Sequence, residues 1–348
     1  MDDVARKIRD KAHELGYEKC GIIKISEVSE YSARLKERCS RIFLGGFQYA
    51  RFRWFAEPQK RFPWAKSIIA LITSYAGYNV PEGFDGVYGK AYMFDTRLDE
   101  NCREAEMRRE FASFLDAEGL KAENEPKFGI TALRWAAYKA GLGIIRHNNF
   151  FYTENGSWCT IEAWLVDREM ELITQTRLEG CLENCQKCVK ACPTGSLSQP
   201  YTMSLMKCAS FITTMSADMR MGAPSMKTAA KLGSCLYGCD MCQTACPFNK
   251  GKFTGGSEFP GLKELSVFMG PEKIMSMDYK EIERAFADKY WYISLENLWK
   301  WKINALVFMN NNYTQRYEEP IKSGIYDQDR RVRAFAKRIS TRLLLNLT

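Results

Sequence analysis

Two short runs of cysteine carry the clearest chemistry in this chain. Residues 181–192 hold Cys181, Cys185, Cys188 and Cys192, with Pro193 next; residues 235–246 hold Cys235, Cys239, Cys242 and Cys246, with Pro247 next. Both read Cys-x3-Cys-x2-Cys-x3-Cys-Pro, so the chain contains an internal repeat. Four soft thiolates converging on one point suit a cubane [4Fe–4S] cluster. In ferredoxins with two clusters, a run of this kind gives three ligands to one cluster and lends its fourth cysteine to the other. The proline closes the ligand loop because it cannot continue a helix. Two runs therefore predict two [4Fe–4S] clusters close together, a short path for single electrons. The first gap in each run is three residues where the usual run has two, which sets Cys181 and Cys235 apart from the other six. Cys208, in Lys-Cys-Ala-Ser-Phe, is a ninth candidate for eight places.

Competing uses of cysteine fit less well. No secretory signal opens the 348-residue chain, so a disulfide framework is not expected. Zinc sites usually pair cysteines without the Cys-x3-Cys-Pro tail. Cys20, Cys39, Cys102 and Cys159 lie outside the repeats and read as small buried hydrophobes. With only His13 and His147 present, histidine-rich metal chemistry and a Ser-His-Asp triad are disfavoured. No apolar run approaches a membrane span, so a cytoplasmic protein with no membrane partner is expected. The formal charge of +8 permits a nucleic-acid partner without requiring one.

The elements that must carry these residues can be read from periodicity. Residues 3–15 have helical spacing and Gly16 is a stop. Residues 17–25 read as a strand, and 66–75 as a strand buried on both faces, because Ile68, Ile69, Ala70, Leu71 and Ile72 are continuously apolar. Residues 45–63 are rich in aromatics and arginine, and 77–89 form a Gly/Pro loop. Helices are expected over 98–115, closed by Gly119, and over 132–140. Strands over 148–153 and 157–166 are joined by Asn155-Gly156, a hairpin signal. Residues 252–261 read as a Gly-rich linker, and helices follow over 282–286, 295–309 and 329–344. The last places Val332, Phe335, Ala336, Ile339 and Leu343 on one face. Arg330, Arg331, Arg333, Lys337, Arg338 and Arg342 occupy the rest, as a solvated basic face or a phosphate contact.

Several segments, taken in order, resemble the epoxyqueuosine reductase family, cobalamin-dependent iron–sulfur enzymes related to the reductive dehalogenases. Arg134-Trp-Ala-Ala-Tyr-Lys-Ala-Gly-Leu-Gly143 followed by His147-Asn148 is similar to the family's Arg-x5-Ala-Gly-Leu-Gly-Trp-x-Gly-Lys-Asn segment. Asn155-Gly156-Ser157-Trp158 resembles its Gly-Ser-Trp hairpin. Residues 87–92, Val-Tyr-Gly-Lys-Ala-Tyr, loosely resemble its Tyr-x-x-Gly-x-Asp-Tyr-His stretch. Cys208-Ala-Ser-Phe is similar to its Cys-Ile-Ser-Tyr, residues 238–247 to its second cluster run, and residues 329–336 to a helix of its HEAT-like repeats.

The resemblance implies an α+β chain in three parts. These are a nitroreductase-like cobalamin-binding domain at 1–175, a two-cluster ferredoxin-like domain at 176–255 and a helical HEAT-like tail at 256–348. It implies one cluster on Cys181, Cys185, Cys188 and Cys246 and another on Cys192, Cys208, Cys239 and Cys242, leaving Cys235 spare. It implies a base-off cobalamin, with no histidine under cobalt, near Tyr92, Arg134, Gly141, Leu142, Gly143, His147, Asn148, Gly156, Ser157 and Trp158. The partners it implies are tRNA and a low-potential electron donor such as ferredoxin or flavodoxin.

The chain departs from the family on the substrate side. Where the family carries a proton-donating aspartate, counting back from Arg134 gives Lys127; the family's Asp and His around its tyrosine become Ala91 and Met93, and the lysine of Gly-Lys-Asn becomes His147. Lys127 and Tyr92 are the candidate catalytic residues, by position and by analogy with the dehalogenases. Epoxyqueuosine in tRNA is the first expected substrate. A small organic molecule reduced at cobalt, a corrin-free electron-transfer protein and a tRNA-binding module are the alternatives.

Overall fold

The computed structural model describes residues 3–345. Its first half is built on one antiparallel sheet of order β1-β2-β6-β3, with β1 Lys19–Lys24, β2 Ser67–Ser74, β3 Ala122–Asn124 and β6 Cys159–Val166. β2 is central, paired with β1 from Ile72↔Lys19 and with β6 from Ser67↔Val166. Its apolar run is continuous because both faces are covered. Ile68, Ala70 and Ile72 meet Trp135, Ala136 and Ala137 of helix Leu133–Lys139. Ile69 and Leu71 meet Ala5, Ile8 and Ala12 of helix Asp3–Leu15 and Met107, Phe111 and Leu115 of helix Arg103–Ala117. The period-2 alternation of a strand thus feeds two cores rather than one core and water.

Three expectations change. The helix expected from 98 begins at Arg103, because Cys102 is extended (ψ 161°) and its Sγ caps Ala105 N at 3.3 Å. The expected hairpin divides between two sheets. β5, Phe151–Tyr152, pairs with β4, Ile144–Ile145, while β6 joins the large sheet; only Thr153 and Gly156 bridge across the turn. The expected linker is not free. Thr254 N and Gly255 N donate to Ala76 O at 2.9 and 3.1 Å, Gly256 N donates to Asn79 Oδ1 at 2.7 Å, and Phe259 is buried.

Beyond the sheet the chain is mainly helical. β7, Leu197–Gln199, and β8, Thr202–Met203, form a small ribbon between the cysteine runs. Helix Trp299–Asn311 is buried on nearly every side, its polar Lys300, Lys302, Asn304 and Asn310 included, with helices Pro271–Ser276 and Arg330–Arg342 packed on it. One hydrophobic core joins Tyr75 to Phe94, Leu232 to Tyr237 and these C-terminal helices. Among the described residues no helix is long and apolar enough to cross a membrane.

Candidate iron–sulfur and ligand sites

Cys181 and Cys185 lie in an irregular loop, Cys188 sits on helix Lys187–Ala191, and Cys246 precedes the tight turn Pro247–Asn249. The fold brings these four together around one small cavity, with Arg146, His147 and Phe248 also in its wall. His147 N donates to Cys181 Sγ at 3.4 Å, and His147 Nδ1 lies 3.0 Å from Cys185 O. The hydroxyl of Tyr152 reaches the Cys246 sulfur.

Cys192, Cys208, Cys239 and Cys242 form a second group. Burial, then repulsion from Cys239 and Cys208, with Asp240 and Cys192 behind them, holds the Cys242 thiol well above an ordinary thiol. Burial, with Cys239 and Cys192 behind it, raises Cys208. Cys235 is fully buried beside this group and takes a hydrogen bond from Cys239, which lowers Cys235 and raises its partner. The helices carrying Cys188 and Cys242 pack against each other, so each run sends its last cysteine to the other run's group. Among the described residues no three His, Cys, Asp or Glu are spaced for a single metal ion. A cubane holds its thiolates farther apart than one tetrahedral zinc does.

A separate half-open cavity of about 340 Å³ lies between helices Glu30–Ser40 and Gly45–Phe52, the start of helix Leu133–Lys139 and the β7–β8 ribbon. Phe52, Phe55, Phe128 and Trp135 give it aromatic walls. Arg38 and Arg134 are its charged residues, and among the described residues no carboxylate lines it. Burial, with Arg134 and Arg34 nearby, holds the Arg38 guanidinium below its ordinary value. The amides of Gln48 and Asn149 are buried in this wall, and Gln48 Nε2, Asn149 Nδ2 and Asn149 Oδ1 have no protein partner.

Of the residues expected around a corrin, Arg134 lines this cavity and donates to Asn149 O. His147 and Asn148 lie in the wall of the cysteine cavity instead, and the others face protein. Gly141 (φ +72°) and Gly143 admit the chain's own backbone: a Cβ there would stand 1.5 Å from Thr174 O and 2.1 Å from Tyr152 O. Leu142 is in the core. Asn148 Nδ2 donates to Tyr152 Oη at 2.8 Å and to Cys242 O at 3.0 Å. Gly156 abuts Asn249, and Ser157 donates to Gln243 Oε1 at 2.8 Å. Trp158 packs on Phe253 with Lys90 above its ring. Asn148, Gly156 and Ser157 thus lock the β5–β6 segment to the second cysteine run.

Lys127 and Tyr92 do not touch. Lys127 Nζ lies 5.2 Å from the Trp291 ring, Trp291 stacks on Tyr292, and Tyr292 meets Tyr92 edge-on at 5.3 Å. Arg97, paired with buried Asp95, lies over both Trp291 and Tyr292 and donates to Lys127 O at 3.2 Å. Burial and Tyr292 raise the Tyr92 phenol well above its ordinary range, and its hydroxyl lies 2.6 Å from Ser210 Oγ. Periodicity and motif did not point to Arg38, Gln48, Arg97, Asn149 or Trp291. The arginine-aromatic stretch over 45–63 was the nearest signal, and it supplies Gln48, Phe52 and Phe55.

Comparison with known proteins agrees with this arrangement. The 4Fe-4S double cluster binding domain matches residues 181–249. The epoxyqueuosine reductase of Prochlorococcus marinus is 26% identical over 325 residues, 87% of this chain and 96% of that protein. That of Escherichia coli is 27% identical over 301 residues, 81% of this chain and 74% of that protein. Among solved structures, an epoxyqueuosine reductase with an epoxyqueuosine-modified tRNA stem loop matches with TM-score 0.78 at 23% identity, over 97% of this chain and 89% of that one. The Bacillus subtilis enzyme, with its catalytic aspartate loop swung out of the active site, matches with TM-score 0.77 at 24% identity over the same shares. In sequence and fold the chain is epoxyqueuosine reductase-like, an oxidoreductase with a 4Fe-4S binding domain.

Proposed function

We propose that the protein is a cobalamin-dependent reductase fed by two [4Fe–4S] clusters, and that its substrate is epoxyqueuosine in tRNA. The observation that carries this reading is the gathering of cysteines into two groups that exchange their last members. One group is Cys181, Cys185, Cys188 and Cys246; the other gathers Cys192, Cys208, Cys239 and Cys242 with Cys235 against Cys239, and on this reading Cys235 is the spare. Mutual repulsion among buried thiols is what a bound cationic core relieves, because metal ligation deprotonates them. The names of the relatives and the tRNA stem loop in one of them support the substrate.

The 340 Å³ cavity is the candidate corrin site. Its volume is that of a small-molecule pocket, so a corrin would fill it and extend out through its open side. The unpartnered amides of Gln48 and Asn149, with Arg134 beside them, would hold the macrocycle's amide groups, and Phe52, Phe55 and Trp135 would give it apolar walls. A corrin bound there supplies low-potential cobalt chemistry, for which cluster potentials reaching down to about −700 mV are suited. The chain's own contribution is to exclude water with aromatic walls and to hold a proton. Phe128 lines the cavity and brings the Lys127 loop to its rim, which favours Lys127 over the buried Tyr92 as the proton source.

Anaerobic protein reconstituted with iron, sulfide and cobalamin, given ferredoxin or flavodoxin as donor, should convert epoxyqueuosine tRNA to queuosine tRNA. Lys127→Ala should slow this by about 10²–10⁴-fold, the usual worth of a positioned acid. No conversion together with no cobalamin binding sinks the reading. The arginine-lined, carboxylate-free cavity favours a second reading, a dehalogenase-like reduction of a small anionic aromatic molecule. Turnover of a halogenated phenol but not of the tRNA would select it.

A further inference from the structure

Arg146 is 2% exposed and lines the cavity shared by Cys181, Cys185, Cys188 and Cys246. Its backbone is clamped between β4 and β5: Arg146 N donates to Phe150 O at 3.1 Å, and Asn149 N donates back to Arg146 O at 2.8 Å. Its guanidinium joins both ends of the ligand set. Nη1 donates to Gly180 O at 2.9 Å, next to Cys181, and Cζ lies 3.4 Å over the ring of Phe248, two residues past Cys246. Nε is buried without a partner, and among the described residues no carboxylate forms an ion pair with it. Arginine keeps its charge in any protein setting. A buried cation without a counter-charge is strongly unfavourable, so the missing anion must be whatever fills the cavity.

A cluster with four thiolate ligands is that anion, and an added electron raises its negative charge by one. A fixed cation beside it favours the reduced form, since cluster potentials follow net charge, hydrogen bonds to sulfur and exposure. Lys187 also borders the cavity but is exposed, where water screens it. Beside the second group stands a carboxyl, Asp240, whose Oδ2 accepts from Lys90 N at 2.7 Å, and the buried Lys90 ammonium is already paired with Asp85.

We propose that Arg146 is the buried counter-charge of the cluster at Cys181, Cys185, Cys188 and Cys246, and that it sets this cluster's reduction potential above that of its neighbour. This rests on the reading that those cysteines hold a cluster. An electron arriving from the donor then rests on the first cluster as it passes from oxidised to reduced. The second cluster is the stronger reductant. Arg146 acts through charge and takes no part in bond making.

The test is an EPR-monitored redox titration of anaerobic, reconstituted full-length protein: wild type, Arg146→Gln, Arg146→Lys and Cys188→Ser. In Arg146→Gln the higher of the two midpoint potentials should fall by about 59 mV or more, a tenfold loss in the one-electron reduction equilibrium. Iron and sulfide content should hold, and the other potential should move little. Arg146→Lys should keep most of the wild-type value. A potential that stays put in Arg146→Gln overturns the proposal. So does loss of the cluster in both Gln and Lys variants, which would make Arg146 a packing residue. Cys188→Ser should abolish the species that Arg146→Gln shifts. If that species persists, the ligand reading has failed and takes the proposal with it; an unmoved potential in a Cys188-dependent species overturns the proposal alone.

Discussion

At the scale of single residues, what distinguishes one cysteine from another is its company. Cys235 and Cys242 come from the same run and both feel Cys239 and Cys208, yet Cys235 is hydrogen-bonded to Cys239, whereas Cys242 also feels Cys192 of the other run. On the proposed ligand set, wild type should hold about eight iron and eight sulfide, two cubanes' worth. Cys242→Ser should lose about half of each, while Cys235→Ser should keep both clusters. Retention of full iron in Cys242→Ser, or loss in Cys235→Ser, would reassign the spare cysteine.

Strand β6 shows how an element can carry a cost. Glu162 stands opposite Leu71 in the β2–β6 register and turns toward Tyr17, Trp164 and Arg108. Trp164 Nε1 donates to its Oε1 at 2.7 Å, but Arg108 is 4.0 Å away. Burial outweighs these partners and pushes the carboxyl from 4.5 up to about 7. The folded state therefore binds this proton more tightly than the unfolded chain, so between about pH 4.5 and 7 stability falls as pH rises. The full effect is of the order of 3 kcal/mol. Glu162→Gln keeps an acceptor for Trp164 and removes the charge. Its melting temperature relative to wild type should rise by a few degrees from pH 5 to pH 8. A difference that is flat across that range would show that Glu162 ionises freely in the fold.

For the whole molecule, the C-terminal helices are tied to the cysteine runs by one core, and only part of their basic face is open. Arg331 pairs with Asp329 at 2.6 Å and lies over Trp299, Arg333 Nη1 donates to Asp327 O and Gln328 O, and Arg342 donates to Asn310 Oδ1. Lys337 and Arg338 are exposed. If tRNA phosphates meet this helix, the salt dependence of binding, followed by fluorescence anisotropy, should flatten by about one unit of slope for each of Lys337→Gln and Arg338→Gln. Arg331→Gln should instead lower thermal stability, since it breaks a contact within the protein. Unchanged slopes in both exposed variants would leave this a solvated surface.

Spacing along the chain was enough to mark the cysteine runs, because ligand geometry is local: thiolates a few residues apart can reach one cluster whatever surrounds them. Burial on both faces also made β2 legible, since an uninterrupted Ile68–Ile72 run has few other uses. The stop at Gly16 is legible for the same local reason, a left-handed φ of 103° that glycine adopts freely. Partnership across the fold was not legible. Asn155-Gly156 marks a turn, but the sheet joined by each flanking strand depends on β2 and β4, which are distant in sequence. Gly141 and Gly143 announce a close approach without saying to what, and the answer is the backbone at Thr174 and Tyr152. The cavity of Arg38, Gln48, Arg134 and Asn149 joins four segments with no common period, so only tertiary packing assembles it. Arg146 is one more basic residue in the sequence. It becomes a buried charge without a counter-ion only when β4, Gly180 and Phe248 close around the four cysteines.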